Sequence, residues 1–536
     1  MRHERRSPAE ILLFDGRIFT WDRQAPIVSC LAIREGQVIA GGTYEELSTT
    51  AGPRTSHVSL GGRAVLPGLV DAHIHLEQYA RSLDRLDCEL PTLEACLAAV
   101  LERAQQTTPG EWILGHGWNQ NAWGRFGRAS ELDLVSRAHP IYLTAKSLHA
   151  AWANSAALAA AGIRRETPDP PGGSIQRDEH GNPTGILLEG AMQLVSSRLP
   201  IWSAERLADS LLAVQERLWS YGVTAVHDFD GPRCFRALQV LHERHALGLR
   251  VVKNIPLDNL QDAIDLGVRT GFGDDWLRLG WVKVFADGAL GPRTAAMLAP
   301  YVGEPENRGM LLVDSEELLE IGARSVRGGL PLSVHAIGDR ANNTVLNAFE
   351  ALRRLETEEG LPQMRHRIEH LQLLHLEDLS RPGRLGLIAS MQPYHATSDM
   401  DMAERYWGER VQTGYAWRSI GRGRAVMAFG SDAPVELPNP FWGIHAAITR
   451  RRHDGRPSEE GWIPGERVDR KAALDGYIEG PRIAAGQSDR LGRLTPGYLA
   501  DLIVLNEDPF EAPADGLAEM RPVAVMVGGE WRLREF

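Results

Sequence analysis

The residues best suited to chemistry in this 536-residue chain stand at the ends of short apolar runs. The first run closes on Asp71-Ala-His73-Ile-His75. In a strand, residues i and i+2 share a face, so His73 and His75 can present two imidazoles to one ion. Neutral imidazole is the commonest protein ligand for zinc. A later run, Trp281-Val-Lys283-Val, sets an amine between apolar neighbours. An inward-facing lysine there has a depressed pKa or is covalently modified into an anionic ligand. Arginine can do neither, because it does not deprotonate. The chain has only four lysines (Lys146, Lys253, Lys283 and Lys471) and otherwise uses arginine for positive charge. His335, His370 and Asp432 close three further runs. An aspartate at such a position ligates a metal or takes a proton from a metal-bound water. Singly, each residue has a plainer reading: a polar strand end, an edge lysine with its amine in solvent, a hydrogen-bonded core histidine, a turn cap. All six on one rim are a candidate metal centre.

That rim has to be built by the elements carrying the runs. Eight apolar runs stand out, at 64–75, 223–229, 250–255, 280–286, 331–337, 365–371, 385–392 and 425–431. Amphipathic stretches such as ADSLLAVQERLWSYG and SEELLEIGARSVRGG lie between them. This βα rhythm predicts an α/β protein with a closed (β/α)8 TIM-like barrel, whose chemistry sits at the C-terminal strand ends. The ends of the chain read differently. Hairpin-like alternation in the first sixty and last fifty residues predicts one small β-sandwich domain formed by both termini. The expected division is 1–62 and 481–536 for that domain and 63–480 for the barrel. Nearly 150 residues separate the first two runs, too many for a βα connection. An inserted subdomain after strand 1, about 76–218, is therefore expected. Its strand candidates are WILGHGW and PIYLTAK, with a hairpin at GGSIQRDEHGNPTGILLEG, and it is rich in tryptophan.

Composition removes several classes. Lys+Arg is 58 and Asp+Glu is 70, a formal charge of −12. Nucleic-acid binders and basic membrane-surface proteins need a positive field, so neither partner is expected. Cys30, Cys88, Cys96 and Cys234 form no CxxC pair and no disulfide framework, which fits a reducing compartment. The charged start leads into no apolar signal core, and no apolar run approaches the roughly 18–20 residues of a membrane span. A cytoplasmic protein acting on a small-molecule substrate is expected, with a homodimer as the base-rate assembly.

The segments VLPGLVDAHIH, VKVFADGALGPRTA, VHAIGDRAN, RIEH, SMQPYH, FGSDAPV and LGRLTPGYLADLIVLNEDP resemble the amidohydrolase superfamily. The subgroup they most resemble is the amidohydrolase-3 or YtcJ-like group, which includes N-substituted formamide deformylases. The resemblance spans nearly the whole chain. It implies a (β/α)8 barrel with one or two divalent metals, usually zinc. His73 and His75 then match the strand-one ligands and Lys283 the strand-four lysine, which in many relatives is N6-carboxylated and bridges two metals. His335 and His370 match the strand-five and strand-six ligands, and Asp432 the strand-eight aspartate that binds metal and shuttles the proton. The implied activity is hydrolysis of a non-peptide amide or formamide C–N bond by metal-bound hydroxide.

Substrate contacts are expected from Trp118, Asn119 and His149 in the insertion, and from Arg293 and His395 at the rim. His116 and His227 read as structural. Three alternatives stay open. Lactone, carbamate or phosphotriester hydrolysis occurs on similar barrels. A metal-free barrel can serve as a binding or regulatory module. His366-Arg-Ile-Glu369-His370 also fits H-x-x-E-H, a zinc-protease pattern that requires a helix.

Overall fold

A computed structural model describes residues 7–199 and 202–536. Eight parallel strands form one sheet in sequential order: Leu69–Ile74, Val223–Asp228, Arg250–Pro256, Leu277–Phe285, Leu332–Ala336, Arg367–His370, Ile388–Met391 and Val426–Phe429. They are referred to below as the first to eighth barrel strands. Every one falls within or overlaps an expected run. Their side chains are almost all buried on both faces, as parallel strands between a barrel core and a helical layer must be. The helices follow from their sequences. Ala204–Ser220 starts at Ser203, whose side chain accepts from the Arg206 N–H, and buries Leu207, Leu211, Val214 and Leu218 at helical spacing. Ser315–Arg327 starts at Asp314, which caps the N–H groups of Glu316 and Glu317.

The sheet closes where the first and eighth strands meet. Asp432 N–H donates to His73 O at 2.7 Å, and His75 N–H donates to Ala433 O at 2.9 Å. The buried Asp71 carboxylate accepts from the N–H groups of His73 at 3.1 Å and Ser431 at 3.0 Å, and from the Ser431 hydroxyl at 2.5 Å. A Cβ at Gly430 would lie 2.4 Å from the His73 nitrogen. Only glycine lets the seam come this close.

The expected run 64–75 changes sheets in its middle. Ala64–Pro67 belongs to the terminal β domain, pairing antiparallel with Leu502–Leu505, while Leu69–Ile74 opens the barrel. The break is Gly68, where a Cβ would meet Thr224 Oγ1 at 2.3 Å. The β domain is one branched eight-stranded sheet drawn from both termini. The long strand Ala9–Phe19 pairs with Ala51–Ser59 along its first half and with Ala64–Pro67 near its end. The inserted sheet has six strands between Leu86 and Glu189, among them Ile113–Trp118, Ile141–Ala145 and the hairpin Gly173–Arg177/Pro183–Glu189. Helix Leu76–Asp84 and helix Ala204–Ser220 pack on each other outside that sheet. The stretch 76–218 therefore holds barrel wall as well as insertion. No helix among the described residues is long and apolar enough to cross a membrane.

At the start of the third strand, Arg250 joins barrel to β domain. Its Nε and Nη2 donate to the Asp501 carboxylate at 2.5 and 2.8 Å, both residues being buried. Burial pushes the Asp501 carboxyl up, but Arg250 and its hydrogen bonds outweigh this and hold it below the ordinary aspartate range. Stability from this pair is therefore present above the unfolded aspartate pKa and is lost as pH falls through the lower folded value. Asp501→Ala leaves a buried guanidinium unpaired. It should lower unfolding free energy by about 3–5 kcal/mol, read as a drop in the urea midpoint at pH 7 that shrinks as the pH is taken into the acid range.

Candidate metal centre

Five of the six expected residues face one another at the C-terminal rim. His73 is the next-to-last residue of the first strand, and His75 sits just beyond it at the start of helix Leu76–Asp84. His73 Nε2 and His75 Nε2 each lie 3.4 Å from Asp432 Oδ1. The His335 and His370 rings are 4.5 Å apart between centroids, and His73 and His370 are 4.9 Å apart. Lys283 approaches the same cluster from the fourth strand, its register partner on the fifth being Ser333. Its ammonium lies 4.7 Å from the Phe229 ring and 4.7 Å from the Phe285 ring. No carboxylate pairs with it among the described residues. Burial pulls its pKa down to about 8, so a substantial neutral fraction exists near pH 7–8.

Each of the four imidazoles has one nitrogen already committed. His73 Nδ1 meets Glu369 Oε2 at 2.6 Å, and His75 Nδ1 meets Asp230 Oδ1 at 3.2 Å. His370 Nδ1 meets Gln392 Oε1 at 2.9 Å, and His335 Nε2 meets the carbonyl oxygen of Gly288 at 2.9 Å. All four partners are oxygens that can only accept, so in the neutral ring each fixes the tautomer and leaves the other nitrogen as a lone pair; for His75, held protonated by its two carboxylates, that lone pair appears only when a metal ion displaces the proton. The buried His73 Nε2 makes no hydrogen bond, nor does the buried His395 Nε2. Two ligand triples result in which one donor atom per residue lies within 4.8 Å of the others: His73–His75–Asp432 and His370–His395–Asp432.

The electrostatics ask for a cation at this point. Burial alone would lower the His75 pKa, but Asp230 and Asp432 beside it push it up to about 10. Burial raises Asp432, and the imidazoles of His73, His75 and His370 carry it well below the usual range. Desolvation lowers His73 to about 4. A neutral His73 beside an ionised Asp432 is a donor set suited to a divalent ion.

Backbone strain holds the geometry. Strand alternation puts Glu369 and His370 on opposite faces, yet both reach the cluster. His370 ends its strand with φ 71 and Leu371 follows with φ 47, while Asp432 has φ 60. Such conformations are uncommon for residues other than glycine and cluster at functional sites.

The second tier divides. His149 and His395 both line the cavity above the cluster. His149 Nδ1 is held by Glu189 at 2.8 Å, with its ring 5.5 Å from that of His335. Asn119 also lines the cavity, but its Oδ1 caps helix Gln120–Trp123. Trp118 borders the cavity only from within the core of the insertion, fully buried, with Nε1 donating to Leu143 O at 2.8 Å. Trp123 and Trp152 pack beside it in that core. Most of the Trp118 ring is thereby given to the interior of the six-stranded sheet, with one edge at the cavity. Arg293 is not part of the cavity wall. It pairs with Glu304 and lies 5.3 Å from the Tyr406 ring, one layer behind Asn121. Residues 367–370 are a strand, and His366 accepts from the Leu332 N–H and meets Glu356. The helical H-x-x-E-H reading is thereby excluded.

The anchoring residues Glu369, Asp230 and Gln392 went unread. Arg367 and Glu369 did carry a signal: opposite charges at i and i+2 within an apolar barrel strand must face each other inside it. Arg367 is fully buried and donates to Glu369, Ser390 Oγ and Ala72 O. Phe229, stacked on His73 at 3.8 Å and 6°, fixes the plane of that ring.

Comparison with known proteins agrees with this geometry. The model of the amidohydrolase family matches residues 57–532. The Arabidopsis thaliana protein LONG AFTER FAR-RED 3 is 33% identical, over 97% of this chain and 91% of its own. The putative amidohydrolase YtcJ of Bacillus subtilis is 32% identical over 92% and 94%. The N-substituted formamide deformylase of Arthrobacter pascens is 27% identical over 98% of both. Among solved structures, an uncharacterized metal-dependent hydrolase from Pyrococcus horikoshii superposes with a TM-score of 0.77 at 28% identity, covering 94% of this chain and 99% of that one.

If the committed ring nitrogens fix the ligand set, breaking one commitment should weaken metal binding without removing a ligand. Asp230→Asn is expected to lower zinc affinity by roughly 10–100-fold, measured by competition with a chromophoric chelator.

Proposed function

The chain belongs to the amidohydrolase family and is a metal-dependent hydrolase, and we propose that it cleaves a non-peptide carbon–nitrogen bond of the amide or formamide type. The observation that carries this reading is the set of four imidazoles, each with one nitrogen committed, arranged around Asp432. The likeness to a named formamide deformylase supports the choice of bond.

His73, His75 and Asp432 would hold one divalent ion, zinc in our reading. His335, His370 and Lys283 would hold a second. For Lys283 to join them it must be an anion. Its neutral amine adds carbon dioxide, forming an N–C bond and releasing a proton, to give the N6-carboxylated side chain. The depressed lysine pKa favours that step. A bound divalent metal lowers the pKa of its water from 15.7 to roughly 7 and so supplies hydroxide at neutral pH.

The chain's own groups do the rest. Asp432 accepts the proton of the attacking water on a carboxylate oxygen and returns it to the departing nitrogen, so the amine leaves neutral. His149, held at Nδ1 by Glu189, offers its other ring nitrogen to the substrate carbonyl. Asn119 and His395 line the substrate side. Trp118 and Arg293 support the wall from behind. A non-catalytic binding barrel would be free to lose ligands, yet all six are present. We place the protein in the cytoplasm, where four buried free cysteines are stable, with a small-molecule substrate and a homodimer as its assembly.

Protein purified without added metal should carry one or two equivalents of zinc. Asp432→Asn should keep most of that metal and lose on the order of 10²–10⁴-fold in kcat in assays on N-formyl and N-acyl amines. Normal turnover in a metal-loaded Asp432→Asn sample would remove the proton-transfer role.

A further inference from the structure

Helix Pro393–Trp407, which follows the seventh strand, turns His395, Ser398, Asp399 and Met402 toward the cavity at helical spacing. His395 belongs to the metal end, its ring 6.3 Å from His370. Asp399 lies one turn farther out, roughly 6 Å along the helix axis. Its Oδ2 accepts from the Tyr415 hydroxyl at 2.7 Å. Its other oxygen makes no hydrogen bond among the described residues, and no Lys, Arg or His nitrogen there lies within ion-pair distance. Burial raises its pKa, a cost that an arriving cation would offset.

Most other polar groups on this wall are committed. Lys146 is held between Glu89 at 2.5 Å and Glu436 at 3.4 Å. Gln120 donates to Gly291 O at 2.9 Å, and Asn121 accepts from the Tyr406 hydroxyl at 2.7 Å. The lone lysine on the wall is thus matched against two carboxylates, and Asp399 adds an unmatched charge.

We propose that Asp399 is a specificity-determining residue that receives a positively charged group, an ammonium or guanidinium, on the substituent of the substrate nitrogen. The inference rests on the amide or formamide reading of the same site and narrows it: the favoured substrates are N-acylated or N-formylated diamines with a spacer of about one helical turn.

The test uses the full-length, metal-loaded enzyme and three N-formyl amines of matched length: N-formyl-1,4-diaminobutane, N-formylpentylamine and N-formyl-4-aminobutyrate. The cationic substrate should have the highest kcat/KM. Asp399→Asn should reduce its advantage over the neutral one by on the order of 10–100-fold, the worth of a hydrogen bond to a charged group. Tyr415→Phe, which keeps the carboxylate, should retain the advantage. Calorimetric titration with 1,4-diaminobutane provides a readout independent of turnover. Binding to the wild type that weakens in Asp399→Asn supports the proposal. No binding, equal binding to both, or a preference for the neutral or anionic substrate overturns it. If diamine binding depends on Asp399 while none of the three formamides is cleaved, the cation site stands and the choice of bond is wrong.

Discussion

The structure depends on a simple property of neutral imidazole: it has two nitrogens and one ring proton, so when that proton is donated to a fixed oxygen the other nitrogen is a lone pair. Four histidines are brought to one rim, and each is committed in this way to Glu369, Asp230, Gln392 or the Gly288 carbonyl. Without those partners the rings would be free to flip, and their tautomers would be set by one another. With them, the site faces Asp432 as an array of acceptors. The charges behind the array are balanced in turn. Glu369 is matched by Arg367, and Asp228, beside Asp230, is matched by the buried Lys253 at 2.9 Å. In a low-dielectric interior an unpaired member of such a network is costly, so anchoring and folding are parts of the same problem.

The barrel seam is the second constraint. Asp432 is useful only where the eighth strand returns to the first, and its own N–H forms one of the hydrogen bonds closing that seam. Asp71 gathers N–H and O–H groups from both sides. Burial pushes its pKa up to about 7, against the pull of those hydrogen bonds. The insertion then grips the loop beyond Asp432. His116 Nε2 lies 3.2 Å from Pro434 O, and Lys146 reaches Glu436. The insertion is thus in direct contact with the segment that follows Asp432.

Much of this was legible in the chain. Apolar runs with short turns gave the eight strands, because a parallel strand buried on both faces leaves little room for polar residues. The candidate ligands were legible because polar side chains stand out at the ends of such runs, and His73, His75, His335 and His370 do. What escaped was whatever depends on partners distant in sequence. Glu369 lies 296 residues from His73 and Asp230 lies 155 from His75, and nothing local announces either pairing. Trp118 was ambiguous for a related reason: a large amphipathic ring suits a ligand wall and a small sheet's core equally well, and in the structure it belongs to the core of the insertion while also bordering the cavity. Arg293 sits in a motif-like segment, but its positive φ of 61 turns the chain so that its guanidinium meets Glu304.

The positions of the polar groups also explain how labour is divided around the cavity. The insertion contributes Asn119, Gln120 and Asn121 in a row, a pattern that reads as recognition. Each nevertheless has an oxygen or nitrogen tied to a cap, a rim carbonyl or Tyr406. Groups spent on holding two bodies together are poor at discriminating between ligands, because their geometry answers to the clamp. On the helix after the seventh strand, itself part of the barrel wall, Asp399 keeps one carboxylate oxygen unengaged. Selectivity placed on that helix, as proposed, would keep the distance between the recognised part of a substrate and its reacting bond independent of how tightly the insertion is seated. A rigid spacing of this kind is what converts binding of a remote group into orientation of the reacting one.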